Sequence, residues 1–340
     1  MERLRGGDER SAARFDLIAV GRVNMDLFSR DVGAPFEAIE SFDAMVGGSP
    51  SNIAIAGSRL GLRTAVFTAV GDDRVGQFVL NNFQREGVDT SFAPVKEGKL
   101  TSLALLGNQP PADFPLSFYR EDPADIHLSV DDAAELPIEQ SRMVQLSGDA
   151  FARGSCVDAA RSCAERARHL GVPTILDLDL RPTDWKHPLA FGLTMRSVFP
   201  LIDVLVGTEE ELFAALSEAP ERIMSGQPVP GSELGDLDEE LARLLEASEV
   251  EAIVVKRGAR GVTVLLDDQR LDVGSFPVEV VNTVGAGDAF AAGLIRSLLR
   301  GMDWASSTRF AAACGAIEVT RHGCSKVFPT ADEVTAFLDG

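Results

Sequence analysis

Short apolar runs alternate with amphipathic segments along most of this chain. Residues 15–20, 174–176 and 252–255 are almost continuous apolar runs of strand length, and such runs are typical of strands buried on both faces. Residues 151–170 have helical periodicity and end before Gly171-Val172-Pro173, where the proline disfavours another helical turn. The alternation predicts an α/β fold in which helices cover both faces of a mostly parallel sheet.

Three regions depart from this alternation. Residues 100–106 and 116–120 alternate as short hairpin strands do, and they predict a small second sheet together with residues 23–45. Residues 221–240 are rich in glycine, proline and acidic side chains, which predicts a solvated loop insertion. Residues 1–14 have no apolar core, so we expect a disordered tail rather than a signal peptide.

Composition narrows the class of protein. The 340 residues include 32 basic and 52 acidic side chains, for a net charge of −20, which disfavours nucleic acid or an anionic membrane as a partner. No stretch of 18 uncharged apolar residues occurs, so a soluble cytoplasmic protein is expected. The four cysteines have no paired spacing and are expected to be buried free thiols.

The segment Asn282-Thr283-Val284-Gly285-Ala286-Gly287-Asp288 precedes an apolar helical run. It predicts a turn whose backbone N–H groups, at Gly285, Ala286 and Gly287, bind an anion at the positive end of the helix dipole. An aspartate there would repel a bound phosphate, but it suits a base beside a transferred phosphoryl group. We therefore predict that Asp288 is the catalytic base; a capping turn without chemistry is the alternative.

Other glycine-rich phosphate motifs do not fit this turn. A dinucleotide-binding turn needs a third small residue where Phe290 stands, and it usually follows an early strand. No Gly-x-x-x-x-Gly-Lys-Ser/Thr sequence exists, because Gly98-Lys99 is followed by leucine.

A second glycine pair also precedes a helix, in Gly47-Gly48-Ser49-Pro50-Ser51-Asn52. Asn52 lies one turn into that helix and faces back toward the loop. The apolar run 15–20 ends at Gly21, and Asn24 and Asp26 follow it. Ligands of open α/β sheets bind at the carboxyl ends of strands, so these side chains are candidates for substrate binding.

The two glycine motifs, in this order and about 235 residues apart, resemble the two signatures of the PfkB (ribokinase-like) carbohydrate kinase family. The resemblance runs from about residue 15 to the C-terminus and includes Val70-Gly71-Asp72-Asp73 and Gly87-Val88-Asp89-Thr90. It implies a three-layer α/β/α sandwich with a central mostly parallel sheet and a small β-sheet lid. The kinase domain would span residues 15–340, with lid strands from about 23–45 and 98–122.

The resemblance also implies substrates and partners. ATP would be the phosphoryl donor, Mg²⁺ the metal and a sugar hydroxyl the acceptor. Because lid sheets of the family often make dimer contacts, a homodimer through the lid stays open. In the family, the position of Asn282 is usually an aspartate that in some members helps to hold a monovalent cation, so a need for potassium is doubtful here.

Roles for the sugar side follow from the resemblance. Asp26 and Asn24 would bind sugar hydroxyls, with a turn-stabilising role as the alternative. Gly47, Gly48 and Asn52 would bring backbone and amide groups against the sugar, although turn geometry alone also explains the glycines.

Three segments, residues 21–27, 114–125 and 177–185, resemble members that phosphorylate a sugar acid of inositol breakdown. Arg120 would then pair with the substrate carboxylate; a surface pair with Glu121 or Asp122 is the alternative. Of Asp177 and Arg181, one would touch the substrate or Mg²⁺-bound water and the other the carboxylate or the phosphate. An ion pair between these two residues is the competing interpretation.

The residues expected to bind the nucleotide and Mg²⁺ match the family's motifs less closely. Glu211 would position Mg²⁺ through water, although Thr208 replaces the family's asparagine and the acidic run could instead stabilise a helix start. The remaining expected contacts are the turn residues Lys256, Gly258 and Gly261, and the small helix residues Ala312, Ala313 and Gly315 beside the adenine. Helix packing is the alternative for the last three.

Three functions remain open. The first is a sugar-acid kinase of inositol breakdown. The second is another kinase of the family, acting on 2-keto-3-deoxygluconate or on a neutral, fructose-like sugar. The third is a non-catalytic regulator that binds sugar or nucleotide, which the intact Gly285–Asp288 turn disfavours.

Overall fold

The fold is an α/β sandwich in a computed structural model that describes residues 12–109, 115–225, 237–267 and 269–340. Its strands are β1 (Leu17–Val20), β2 (Asn24–Ser29), β3 (Phe42–Gly47), β4 (Thr64–Phe67), β5 (Val70–Gly71), β6 (Val95–Lys96), β7 (Ser102–Leu106), β8 (Leu116–Tyr119), β9 (Val144–Ser147), β10 (Thr174–Asp177), β11 (Val204–Thr208), β12 (Ala252–Lys256), β13 (Val262–Leu266) and β14 (Gln269–Val273). Its α-helices are α1 (Ser49–Arg59), α2 (Arg74–Arg85), α3 (Val130–Ala134), α4 (Cys156–His169), α5 (Pro188–Val198), α6 (Glu209–Leu216), α7 (Glu221–Met224), α8 (Leu237–Ala247), α9 (Ala286–Leu299), α10 (Trp304–Val319) and α11 (Ala331–Asp339).

The central sheet has eight strands in the order β14-β13-β12-β11-β10-β9-β1-β4 within the described residues. The pairs from β4 to β12 are parallel, and β13 and β14 join as antiparallel strands at one edge. The predicted mostly parallel sheet is therefore confirmed, and the carboxyl ends of β1, β10, β11 and β12 meet on the same edge.

Helices cover both faces of this sheet. Leu17 and Ala19 belong to one apolar core with helices α1, α2, α9, α10 and α11. Ile18 and Val20 point the other way, into a core with helices α3 to α8. Successive residues of a strand alternate between faces, so a continuous apolar run supplies both cores, as expected for a three-layer fold.

A second, four-stranded sheet has the order β3-β2-β7-β8. Strand β2 pairs antiparallel with β3 and parallel with β7, and β8 is the outer strand beyond β7. The predicted small sheet is thus present. Asn24 and Asp26 lie within β2 rather than in a loop after β1.

Two predicted segments need correction or lie outside the described residues. Within the predicted loop 221–240, the structure has helix α7 and the start of helix α8, where Ile223, Leu237 and Leu241 are buried. In α8, Leu237, Leu241 and Leu245 recur at helical spacing among acidic side chains, which favours a packed helix over a solvated loop. Residues 226–236, and residues 1–11 of the predicted tail, lie outside the described residues.

The contact between α9, which begins at the Gly285 turn, and α10 depends on a glycine. A Cβ placed on Gly293 would lie 2.7 Å from Cys314 Sγ and 3.0 Å from Ala311 Cα. Both neighbours are completely buried in the same core. A larger residue at Gly293 would therefore force the two helices apart.

We predict that Gly293→Val lowers the free energy of unfolding by about 1–3 kcal/mol, because overpacking in a closed core costs that much. Gly274→Val is the matched control, since nothing lies within 4 Å of a Cβ at Gly274; its change should stay within about 0.5 kcal/mol. Urea unfolding of both variants is the measurement. Equal midpoints for the two variants would contradict the proposed packing.

Candidate active site

A cavity of about 360 Å³ lies between the carboxyl ends of the central strands and the small sheet. Residues of β2, β7 and β8 form one wall, including Leu106 and Phe118. Of the residues proposed from the sequence, the cavity is lined by Asn24, Asp26, Gly48, Asn52, Asp177, Arg181, Thr208, Glu211, Lys256, Gly285, Gly287 and Asp288. The two motifs that lie far apart in sequence therefore meet in one place.

Asp288 lies in the first turn of α9 and is held by two residues of the first turn of α1. Ser49 Oγ donates to its Oδ1 at 2.7 Å, and Asn52 Nδ2 donates to its Oδ2 at 2.8 Å. Burial raises the pKa of Asp288 to about 6, with Asp179 adding to the rise and the two hydrogen bonds opposing it. The carboxylate is therefore ionised above about pH 6 and can accept a proton at neutral pH.

The turn before Asp288 has the geometry of an anion site. Gly285 has φ 94°, and a Cβ there would lie 3.1 Å from Cys324 Cβ. The first N–H groups of a helix have no intrahelical partner, so those at the start of α9 remain available to a ligand. The N–H of Ala286 is directed at the carbonyl of Thr283 at 3.4 Å, so it is a weaker candidate than that of Gly287.

Asn282 closes this turn through its neutral side chain. Its Nδ2 donates to the carbonyls of Gly323 at 2.5 Å and Val284 at 3.2 Å, and its Oδ1 accepts from Val284 N–H at 3.0 Å. An aspartate has no donor for those two carbonyls. The amide N–H groups thus satisfy both carbonyl oxygens, whereas beside an aspartate a bound cation would have to do so.

Asp26 and Asn24, proposed from the sequence to bind a sugar, lie on β2 and line the cavity. Asn24 donates to Asp26, and burial raises the pKa of Asp26 to about 7. Gly47 opposes this carboxylate, because a Cβ there would lie 2.1 Å from Asp26 Oδ2. The Oδ1 atoms of Asn24 and Asn52 are buried and have no hydrogen-bond partner within the described ranges. Both amide oxygens can therefore accept a hydrogen bond from a bound hydroxyl.

Two arginines flank Asp179, a residue that sequence reasoning missed. Arg181 Nη2 lies 2.7 Å and Arg22 Nη2 lies 3.6 Å from its two carboxylate oxygens. Asp179 has φ 33°, the left-handed region that only glycines otherwise occupy among the described residues, and such strain is common at ligand sites. Arg22 also lies 5.6 Å above the ring of Phe118, so it links the small sheet to the central one.

The ion pair between Asp177 and Arg181, the competing interpretation from the sequence, is not formed. Asp177 pairs with Lys256, whose Nζ lies 3.1 Å from both carboxylate oxygens, and not with Arg181. Burial would lower the pKa of Lys256, but the carboxylates of Asp177 and Glu211 raise it, so the ammonium stays charged. Lys256 thus places a positive charge in the cavity beside the turn before Asp288, 3.5 Å from a Cβ position at Gly287.

Arg120 does not reach this cavity, which corrects its predicted role. Its guanidinium makes a two-pronged pair with Asp125, at 3.0 and 2.7 Å, and contacts Ser102 Oγ at 3.2 Å. Only 6% of the Arg120 side chain is exposed. Because the chain turns back after β8, Asp125 satisfies the guanidinium fork that we expected the substrate carboxylate to fill.

Glu211 has a structural role in addition to its place in the cavity. It forms a capping box with Thr208 and also accepts from Leu180 N–H at 3.1 Å. No cluster of three or more His, Cys, Asp or Glu in the described part of the chain could hold a metal by itself. A metal here would need water and phosphate oxygens to complete its ligands.

Several residues proposed for the nucleotide lie outside this cavity. Gly258 and Gly261 form the turn between β12 and β13, and both have positive φ. Ala313 is fully buried in the core, and a Cβ at Gly315 would lie 3.2 Å from Ala286 O. Helix packing explains both residues, while contact of Ala312 with adenine stays a prediction.

Comparison with known proteins agrees with this geometry. Residues 14–331 match the family described as pfkB family carbohydrate kinase. A protein of Geobacillus thermodenitrificans (strain NG80-2) named 5-dehydro-2-deoxygluconokinase is 33% identical over 325 residues, covering 95% of this chain and 93% of its own. A protein of Bacillus anthracis (strain CDC 684 / NRRL 3495) with the same name is 31% identical over 327 residues, covering 96% and 95%.

Solved structures share the fold. A putative ribokinase II from E. coli has a TM-score of 0.81 at 23% identity, covering 95% of this chain and 99% of its own. A PfkB protein from Polaromonas sp. JS666 has a TM-score of 0.76 at 26% identity, with the same coverage.

The fold, the cavity and these relatives together define a phosphotransferase that acts on a sugar hydroxyl. The chain belongs to the pfkB family of carbohydrate kinases. The resemblance found in its two glycine motifs is confirmed, as are the α/β/α layers and the small sheet. No helix of the described residues is long and apolar enough to cross a membrane, and the four cysteines are free and buried as expected.

If Asp288 is the base, Asp288→Asn should lower kcat by roughly 10²–10⁴, the usual contribution of a positioned base. The amide preserves the shape of the side chain, so nucleotide affinity and the unfolding midpoint should stay nearly unchanged. Steady-state kinetics and nucleotide titration check both expectations. Retention of more than about a tenth of the wild-type kcat would show that another group takes the proton.

Potassium should matter little to this kinase, because Asn282 already satisfies the carbonyls of the turn. We predict less than about a threefold change in activity between potassium-free and potassium-containing buffer, since the buried Asn282 side chain is neutral and leaves no anionic group at position 282 to hold the ion. Choline chloride at equal ionic strength is the control. A strong dependence would mean that carbonyl oxygens alone hold the ion.

Proposed function

We propose that this protein transfers the γ-phosphoryl group of ATP to the 6-hydroxyl of 5-dehydro-2-deoxy-D-gluconate, giving the 6-phosphate and ADP in myo-inositol breakdown. The curated relatives named above support this substrate, because they are similar along nearly their whole length. The observation that carries the proposal is the Arg181 guanidinium in the same cavity as Asp288. The cavity thus holds a guanidinium that can pair with the carboxylate of a sugar acid and an aspartate that can take the proton of its hydroxyl.

Arg181 is suited to a carboxylate. Its side chain is 42% exposed, and its Nε is buried without a hydrogen-bond partner in the described part of the chain. Asp179 raises the pKa of Arg181, so the guanidinium remains charged. A planar guanidinium can donate two parallel hydrogen bonds to a carboxylate, which a neutral sugar cannot accept in the same way.

The opposite wall offers acceptors for hydroxyl groups. Asn24, Asp26 and Asn52 line the cavity, and the buried Oδ1 atoms of the two asparagines have no hydrogen-bond partner among the described residues. A volume of about 360 Å³ lies in the range of small-molecule sites. A six-carbon sugar acid therefore fits both the polarity and the size of the cavity.

ATP and Mg²⁺ belong to the same proposal. A putative ribokinase II from E. coli, solved in complex with ATP and Mg²⁺, has a TM-score of 0.80 at 22% identity, covering 95% of this chain and 99% of its own. The carboxylates of Asp177 and Glu211 at the ends of β10 and α6 suit a hard cation that keeps several waters and binds phosphate oxygens. Bound there, Mg²⁺ would neutralise charge on the phosphates.

The protein's own groups then align the reactants. Asp288 takes the proton of the attacking hydroxyl, and the N–H groups at the start of α9 stabilise the charge of the transferred phosphoryl group. Lys256 adds positive charge on the same side. The small sheet covers the sugar, which excludes water as a competing acceptor.

Localisation and assembly follow from this proposal. Because ATP is a cytoplasmic substrate, we place the enzyme in the cytoplasm. Strand β8 is an outer strand with Leu116 and Tyr119 43% and 64% exposed. Such an apolar edge supports a homodimer through the small sheet.

Replacing Arg181 tests the substrate. Arg181→Met should lower kcat/KM for 5-dehydro-2-deoxygluconate by about 10- to 100-fold, since a hydrogen bond to a charged group contributes ~1.5–3 kcal/mol. Arg181→Lys keeps the charge but loses the guanidinium fork, so it should recover only part of the efficiency. The measurement is steady-state kinetics with the sugar acid and with fructose.

Arg270→Met is the matched control, because Arg270 is also about half exposed and paired with aspartates but lies away from the cavity. Its kcat/KM should match the wild type. Equal losses for acid and neutral sugars in Arg181→Met would contradict the carboxylate role. A preference for fructose would favour a fructokinase, and one for 2-keto-3-deoxygluconate would favour that sugar-acid kinase.

A further inference from the structure

The two hydrogen bonds on Asp288 differ in kind. Ser49 Oγ donates to Oδ1 and Asn52 Nδ2 donates to Oδ2, so each carboxylate oxygen has one partner from helix α1. A side-chain amide nitrogen can only donate, whereas a hydroxyl can either donate or accept. Once the carboxylate gains a proton, only the hydroxyl can reverse its hydrogen bond.

The geometry points to Ser49 as the positioning residue for proton transfer, with Oδ1 of Asp288 as the atom that receives the proton. Asn52 needs an unprotonated acceptor and keeps Oδ2 in that state. Ser49 Oγ can rotate and accept from the new carboxyl O–H, so the bond at Oδ1 survives the transfer in reversed direction. This inference rests on the proposed role of Asp288 as the base.

The step balances without any further reactant. The substrate O–H bond breaks and its proton goes to Asp288 Oδ1, while the hydroxyl oxygen forms a bond to the γ-phosphorus of ATP. The bond from that phosphorus to the bridging oxygen breaks, and its electron pair leaves with ADP. Ser49 neither gains nor loses a proton; its O–H turns from Oδ1 toward the cavity, which it lines.

The Ser49 hydrogen bond should influence how activity depends on pH. The Ser49 hydrogen bond lowers the pKa of Asp288, against the rise that burial causes. Removing the hydroxyl should therefore raise that pKa, and activity should be lost at a higher pH as the solution is made more acidic. The other titratable groups that act on or respond to Asp288 are Asp26, Asp179, Arg181, Lys256, Glu318 and Cys324. These groups are unchanged in Ser49→Ala, so a difference between its pH profile and that of the wild type reports the effect of the Ser49 hydroxyl.

The test compares two serines of one helix turn. Ser51 is also buried and donates through Oγ, but to the carbonyl of Arg22 at 3.0 Å rather than to Asp288. For Ser49→Ala we expect the acid limb of kcat/KM against pH to move up by about one pH unit and kcat to fall about tenfold. For Ser51→Ala the limb should stay at its wild-type position.

Unfolding midpoints of both alanine variants are measured alongside the pH profiles. An acid limb of Ser49→Ala that coincides with wild type, or that moves down, overturns the role of Ser49. The same limb shift in Ser51→Ala also overturns it, because the effect would then belong to the helix turn as a whole. Asp288→Asn separates this inference from the proposed function. If that variant stays active, Asp288 is not the base and the proposed mechanism fails; if it is inactive and Ser49→Ala leaves the acid limb unchanged, only the role of Ser49 fails.

Discussion

The site depends on the meeting of two helix starts at one carboxylate. Helices α1 and α9 each begin after a glycine with φ 94°, Gly48 and Gly285, and their first turns are joined through Asp288 by hydrogen bonds that span 239 and 236 residues of sequence. Helix α1 follows the strand of the small sheet that opposes Asp26, and helix α9 begins at the Gly285 turn. The proposed base, Asp288, therefore lies where these two parts of the cavity meet and is oriented by side chains of helix α1.

The second constraint is charge. A chain with a net charge of −20 must bind two anions in a cavity that is itself lined by acids. Burial reduces this conflict at Asp26, because it raises the pKa of that carboxyl to about 7 and so weakens its negative charge, and Lys256 pairs with the carboxylate of Asp177. The charged groups Arg22, Arg181 and Lys256 and the N–H groups of the helix starts supply the positive potential. Asp179 pairs with both Arg22 and Arg181, and its own backbone lies in the left-handed region.

Sequence patterns predicted what depends on local chemistry. The apolar runs indicate the parallel sheet, and the glycines before helices indicate the tight turns at Gly48 and Gly285, because few other residues allow those backbone angles. Partners of charged side chains depend on the path of the chain after each strand, which these patterns do not reveal, and the role predicted for Arg120 was therefore wrong. Arg120 pairs with Asp125 because the chain turns back within five residues, and Asp177 meets Lys256 because β10 and β12 flank the same strand. Ser49 gave no signal at all, since a serine before a proline is also an ordinary helix start.

The most direct test is a coupled ADP-release assay of the wild-type enzyme over a panel of sugar acids and neutral sugars. With Asp288 as the base and Arg181 as the carboxylate partner, 5-dehydro-2-deoxygluconate should give the highest kcat/KM, at least about tenfold above fructose, as expected for one charge-assisted hydrogen bond. ADP release that is fastest with a neutral ketose, or equal for all sugars, would contradict the account.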